Sequence, residues 1–253
     1  MPVFKNLVAR WFGPRSQSAP DRQIAAISDP SAEAFLKAIR DRSKTDPQIG
    51  PNIGAAEIFQ RSLKALKDGH GMQIESLLCL LGAVAGYSCQ ASLRAEALAR
   101  GMSETAFLNR YEAKDGRRYY FGNELNKRLG ESNYSVLGLA IASASHLGCA
   151  QTPNLEEIHR HSNQAIGTDG FGFPRLPDRH KARETPYQYL VSTFPLLLPT
   201  AKLFCPDPKQ WPVLFGLAIQ KAMVAAKDSL PPEMALRIVM ESAVPMSKVE
   251  LPS

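Results

Sequence analysis

The segment Met72 to Cys89 constrains the fold more than any other part of the chain. It reads MQIESLLCLLGAVAGYSC and is apolar on almost every side of a helix, with Gly82 and Gly86 four residues apart. A helix that is apolar all round belongs in a protein interior, and glycines allow a neighbouring backbone to approach closely. Its most apolar stretch is much shorter than the roughly 20 residues that a membrane span requires. We therefore expect this helix at the centre of a bundle.

Most other segments also carry helical signals. Helix starts are predicted by Asp29-Pro30, by Asn154 followed by Glu157, and by three later pairs: Thr185-Pro186, Asp207-Pro208 and Pro231-Pro232. Pro195 is expected to end or kink the helix that starts at Pro186. The predicted fold class is all-α, a bundle-like domain of about nine helices with one small β-hairpin near residues 111–121.

The N-terminal segment is predicted to be separate from this domain. Within residues 3–12, Phe4, Leu7, Val8 and Trp11 recur at helical spacing opposite basic and polar residues. We expect residues 1–28 to form an amphipathic helix with a flexible linker, and residues 29–253 to form a single helical domain with a possible sub-boundary in 167–184. The N-terminal helix is expected to dock on a protein surface; a membrane surface and a targeting role are the alternatives.

Composition and cysteine usage bound the function. The chain has 253 residues, and 44% of them are hydrophobic, which is typical of a globular protein. Its net charge of +6 is mildly basic and does not by itself imply a polyanionic partner. The cysteines at 79, 89, 149 and 205 form no C-x-x-C pair. This spacing indicates a reducing compartment, so we expect a cytoplasmic protein without a thiolate zinc site.

One stretch predicts nucleic-acid binding as an alternative. Residues 95–122 read as a helix, a turn at Gly101, a second helix from Ser103 to about Arg110, and a hairpin turning at Asp115-Gly116. A two-residue turn would pair Glu112 with Tyr119. This order resembles the winged helix-turn-helix family over fewer than thirty residues. The resemblance implies nucleic-acid binding through four basic side chains: Arg110, Lys114, Arg117 and Arg118.

A long aperiodic loop is the first candidate for a ligand site. Residues 167–184, GTDGFGFPRLPDRHKARE, show neither helical nor strand periodicity, and loops of this length are usually functional or disordered. We expect a small ligand or a protein to bind where the loop meets the helix containing His161. The candidate ligand-binding residues are His161, Asp169, Arg175, Arg179 and His180.

A metal site is the second alternative. On a helix, Glu157 and His161 are four residues apart and share one face, whereas His159 and Asn163 form a similar pair on a different face. A metal-dependent hydrolase would need further ligands from elsewhere in the chain. No nucleophile elbow, phosphate loop or dinucleotide fingerprint is present. We therefore expect a ligand- or protein-binding module with no catalytic residues and no cofactor.

Overall fold

The computed structural model describes residues 30–67 and 71–252. Its contacts divide the chain into two units, residues 1–47 and 48–253. Within the described residues the first unit contributes one helix, α1 (Pro30–Arg42), which starts at the predicted proline. The predicted helix at residues 3–12, its membrane or targeting roles and the predicted boundary after residue 28 lie outside the described residues.

The described part of the second unit is helical apart from one hairpin and its loops, which confirms the predicted fold class. In chain order its helices are α2 (Ile49–Leu66), α3 (Ile74–Ala99), the short α4 (Asn123–Asn126), α5 (Val136–His146), α6 (Leu155–Gln164), α7 (Pro186–Phe204), α8 (Trp211–Ala226) and α9 (Pro232–Met246). The hairpin consists of β1 (Asn109–Glu112) and β2 (Arg118–Phe121).

The predicted central helix is α3. It ends at Ala99, ten residues beyond the end of the predicted apolar segment at Cys89. It packs against α7, α8 and α9, and the two predicted glycines lie against α9. A Cβ on Gly82 would lie 2.9 Å from the carbonyl oxygen of Val239, and one on Gly86 would collide with the backbone of Ala243. By length and composition alone α3 could cross a membrane, but 94% of its most apolar window is buried inside the fold.

The predicted helix starts are confirmed where local chemistry specifies them. Asn154 accepts a hydrogen bond from the Glu157 N–H at 3.1 Å, and Thr185 and Gln188 form a capping box at the start of α7. Pro195 does not end the helix, because α7 continues through Pro195 to Phe204. Its buried face, which includes Phe194 and Leu197, stabilises the helix despite the missing N–H donor.

The hairpin is present, but its predicted register is wrong by one residue. Tyr111 pairs with Tyr119 and Glu112 with Arg118, because the connection contains three residues instead of two. The Gly116 N–H donates to the Ala113 carbonyl and the Ala113 N–H donates to the Arg117 carbonyl, each at 2.9 Å. Gly116 takes a positive φ of 79°, which permits a bulged turn of this length.

Residues 248–250 add a third, short edge to the hairpin. The Tyr120 N–H donates to the Lys248 carbonyl at 2.8 Å, and the Glu250 N–H donates to the Arg118 carbonyl at 3.2 Å. β2 therefore lies between β1 and the segment that follows α9. Both of its tyrosines are buried, Tyr119 to 2% and Tyr120 to 0% exposure.

Candidate functional site

The long loop of residues 167–184, called the strap below, is packed against the helical unit. The Phe171 ring stacks edge-on against Tyr119, with centroids 4.9 Å apart, and a Cβ on Gly172 would lie 2.8 Å from Met246. Its only regular element among the described residues is a short 3-10 helix, Asp178–His180. The strap therefore covers part of the core as well as carrying candidate ligand residues.

Arg175 of the strap is held by two carboxylates. It donates to Oε1 of Glu241 from Nε at 3.1 Å and from Nη2 at 2.9 Å, and to Oε1 of Glu157 from Nη1 at 2.7 Å. Glu241 is 3% exposed, whereas Glu157 is half exposed. Arg175 therefore neutralises a buried charge on α9 and joins α6, the strap and α9, so its guanidinium is engaged within the protein.

The other four predicted ligand residues do not gather around Arg175. His180 Nδ1 lies 3.1 Å from Glu75 Oε1 at the start of α3, and Arg179 Nε lies 3.1 Å from His180 Nε2. Asp169 is exposed, and His161 is half-buried on α6. Arg179 and His180 thus lie together near the start of α3, whereas Arg175 contacts α6 and α9.

The structure places no further candidate metal ligands beside Glu157 and His161 among the described residues. Among residues 30–67 and 71–252 there is no group of three or more histidine, cysteine, aspartate or glutamate side chains that could hold an ion. The physical reason lies in the partners: Glu157 accepts a hydrogen bond from Arg175, and His180, a possible third ligand, contacts Glu75.

The predicted second helix of the helix-turn-helix segment is absent. Gly101 has the expected positive φ of 64°, and Ser103 caps a helical turn, but that turn is a three-residue 3-10 helix, Glu104–Ala106. The chain then enters β1 at Asn109. A single turn presents too few side chains to read base edges in a major groove, so the family resemblance ends at the Gly101 turn.

The four basic residues of the nucleic-acid hypothesis do not converge on one surface. Arg117 pairs with Asp115 and donates to the Thr168 carbonyl at 2.9 Å, whereas Arg118 lies 3.4 Å from Glu112 and 3.5 Å from Glu250. Because they are consecutive, Arg117 and Arg118 point to opposite faces of the hairpin. Arg110 and Lys114 are exposed. Local carboxylates thus compete with phosphate for two of the four charges.

A pocket of about 430 Å³ lies beside the hairpin, away from the strap residues predicted to bind ligand. It is formed by the end of β2, the end of α4 and the turn after it, one face of α6, and the residue that follows α9 by two positions. The lining residues are Phe121, Gly122, Asn126, Gly130, Glu131, Leu155, Glu156, His159, Asn163 and Lys248. Its size is that of a typical small-molecule site.

The backbone on both sides of Lys248 is fixed. Gln90, fully buried on α3, donates from Nε2 to the carbonyls of Ser247 and Val249, each at 3.1 Å. The carbonyl of Lys248 itself accepts the Tyr120 N–H. The backbone at Lys248 is therefore rigid. A rigid backbone helps to hold the amine in one place.

The side chain of Lys248 is buried, and its amine has no counter-ion among the described residues. The residue is 4% exposed, and its Nζ lies 4.6 Å from the centroid of the Phe121 ring. Among the residues that the structure describes, no carboxylate oxygen lies within 4.0 Å of Nζ. Burial disfavours the charged form and lowers the pKa of Lys248 from 10.5 to about 8.

His159 shares the pocket with Lys248. Its pKa is lowered first by burial and second by the charge of Lys248, so the imidazole is neutral at pH 7. A neutral imidazole has one donor and one acceptor nitrogen. Asn163, one helical turn further along α6, lines the same pocket and adds an amide, which gives the site further polar groups to orient a ligand.

The wall opposite α6 contains an unusual helical turn. Residues Lys127–Glu131 form a π-helix directly after α4, and its last two residues line the pocket. Such turns are rare and are found most often at functional sites. Glu131 and Glu156, which both line the pocket, are exposed, so the exposed part of the lining is acidic, whereas Lys248 is buried.

The sequence does not predict this pocket, although it predicts one pair of the residues that line it. His159 and Asn163 were recognised as a pair on one face of α6, and both line the pocket. Lys248 carries no motif, since its burial depends on contacts with α3 and β2 that are remote in sequence. Comparisons of the chain with protein-family models, curated proteins and solved structures found no match.

Proposed function

We propose that the protein is a binding module that holds a small organic anion in the Lys248 pocket. The observation that carries this proposal is the buried side chain of Lys248, which lines the cavity and whose amine has no carboxylate partner among the described residues. A buried ammonium is costly unless it is paired. A carboxylate, sulfonate or phosphate on a ligand would supply the missing partner.

Four of the other lining residues suit the rest of such a ligand. Phe121 and Leu155 offer apolar surface for a ring or short chain, while the amides of Asn126 and Asn163 offer hydrogen-bond donors and acceptors. Small-molecule sites commonly combine mostly apolar walls with a few polar groups that fix orientation. We therefore propose this pocket, and not the strap, as the site of the binding function predicted from the sequence.

We also place the protein in the cytoplasm. All four cysteines are free, and Cys79, Cys89 and Cys205 are buried. Burial raises the pKa of each of these three thiols to about 12, so they remain protonated and unreactive. Unoxidised, buried cysteines are typical of proteins in a reducing compartment.

Calorimetric titration with 8-anilinonaphthalene-1-sulfonate tests the binding proposal. N-phenyl-1-naphthylamine has the same rings without the sulfonate and serves as the matched probe. We expect one site for the sulfonate and at least tenfold weaker binding of the uncharged probe. Lys248→Met should remove that preference, whereas Lys221→Met, at an exposed position of α8, should leave it unchanged. Equal binding of the sulfonate by both variants would overturn the proposal.

A further inference from the structure

We propose that Lys248 forms an imine with its ligand, so that the natural ligand is a small aldehyde that carries an acidic group. This inference rests on the proposed function, because it assigns the chemical class of a ligand in the same pocket. The protonated imine keeps one positive charge on Lys248, which still pairs with the acidic group of the ligand. Lysine amines form imines with carbonyl compounds, and desolvated lysines are the ones that proteins use for this purpose.

The contacts of Lys248 leave its nitrogen available for reaction. The ring of Phe121, 4.6 Å away, is an attractive neighbour for a cation, but it does not hold the amine in an ion pair. Gln90 and Tyr120 fix the backbone through hydrogen bonds to residues 247–249. A nitrogen on a fixed backbone next to a cavity loses little freedom when it attacks a bound carbonyl.

The protonation state of Lys248 also suits this chemistry. Only the neutral amine has the lone pair that attacks a carbonyl carbon. With a pKa of about 8, roughly a fifth of the Lys248 amines are neutral near pH 7.4, against about one in a thousand for an ordinary lysine. The reactive fraction is thus about two orders of magnitude larger than for an ordinary lysine.

The reaction balances without an oxidant or reductant. The amine nitrogen forms a bond to the aldehyde carbon and loses its protons, while the carbonyl oxygen gains two protons and leaves as water. The product is a C=N bond, which water hydrolyses back to the amine and aldehyde. His159 lines the same pocket, and its neutral imidazole has the donor and acceptor nitrogens that such proton transfers need.

Reductive trapping with 4-carboxybenzaldehyde and sodium cyanoborohydride tests the inference on the full chain. Modified lysines are identified and quantified by peptide mass spectrometry. We expect Lys248 to be modified at least tenfold faster than Lys221 and Lys227, two exposed lysines that serve as internal references. The preference for Lys248, expressed as its rate divided by the rate at each reference lysine in the same sample, should be largest near pH 7 and should fall as the pH rises above about 8.

A charge-preserving variant separates the imine from simple binding. Lys248→Arg keeps a cation but cannot form an imine, so it should still bind 8-anilinonaphthalene-1-sulfonate while the trapping is lost. Lysine-dependent sulfonate binding without preferential trapping at Lys248 would overturn the imine and leave the binding proposal standing. If the unmodified chain showed neither lysine-dependent sulfonate binding nor preferential trapping at Lys248, both proposals would be overturned. If the arginine variant does not fold, the pH dependence of trapping in the unmodified chain decides alone.

Discussion

Arg175 reaches from the strap to a glutamate that is otherwise shut away from solvent, donating two hydrogen bonds to Oε1 of Glu241 at 3.1 and 2.9 Å. A charged pair of this kind contributes less to net stability than its distances imply, because both groups lose water on folding. Removing only the arginine is more costly, since the carboxylate of Glu241 is then left buried without a counter-ion.

Arg175→Met is therefore expected to lower the free energy of unfolding by about 3 kcal/mol, measured by urea denaturation at pH 7. The double variant Arg175→Met/Glu241→Met should recover most of that loss, because no buried charge remains. Glu157→Gln is the matched control: Glu157 contacts the same guanidinium but is half exposed, so it should change stability by less than about 1 kcal/mol. Equal losses in all three variants would contradict this account.

Lys248 should make stability depend on pH in the alkaline range. Its pKa falls from 10.5 to about 8 on folding, so between these values the unfolded chain binds more protons and stability rises with pH. Below pH 8 the full cost of burying the ammonium applies. Lys248→Met is expected to raise the free energy of unfolding by about 3 kcal/mol at pH 7 and to lose this advantage by about pH 10.5.

Differences between variant and unmodified protein isolate this effect, because tyrosines and other lysines titrate in the same range. Lys221→Met, at an exposed site on α8, should show no such pH dependence. A difference between the Lys248→Met variant and the unmodified chain that stays constant from pH 7 to 10.5 would show that the amine is not desolvated. The charged or titratable groups lining its pocket are His159, Glu131 and Glu156.

Gly86→Ala should destabilise the centre of the fold. The added Cβ would collide with the backbone carbonyl of Ala243, so α3 and α9 would have to separate at a fully buried contact. We expect a loss of about 3 kcal/mol or more in thermal or urea unfolding. Gly130→Ala is the matched control, because its Cβ would meet only side-chain carbons at 3.8 Å; an equal effect there would indicate that glycine flexibility, and not helix approach, is responsible.

Nucleic-acid binding through the hairpin is expected to be absent. Titration of a labelled mixed-sequence duplex should show no binding whose salt dependence changes in Arg117→Ala/Arg118→Ala. The reason is that Arg117 pairs with Asp115, while Arg118 lies near Glu112 and Glu250. Binding that weakens steeply with salt, with a shallower slope in the double variant, would restore the hypothesis drawn from residues 95–122.

Local chemistry explains which features could be predicted from the sequence. The caps at Asn154 and Thr185 act through neighbours within one helical turn, and both are seen in the structure. Gly82 and Gly86 lie four residues apart in an apolar segment, and the structure packs both against α9. The hairpin register was missed because Gly116 closes a three-residue loop with a bulge, which the Asp-Gly pair alone does not distinguish from a two-residue turn.

The candidate site could be predicted only in part, for a different reason. The pairing of His159 with Asn163 follows from helical spacing, and that pair does line the pocket. The burial of Lys248 depends on Gln90 and Tyr120, which lie in other elements far away in the sequence. A charged residue after a helix reads as solvent-exposed unless such contacts are known. Charged strap residues drew attention because their loop is long, yet Arg175 and His180 have partners within the fold.

The long-range hydrogen bond between Tyr120 and Lys248 also affects the order of folding events. Contacts between residues distant in sequence close large loops and therefore form slowly, whereas helices form within microseconds. In a refolding experiment, helical circular dichroism should thus return well before the pocket exists. Ligand binding would then appear only when the native topology is complete. The ligand would therefore stabilise only molecules that have reached the native state.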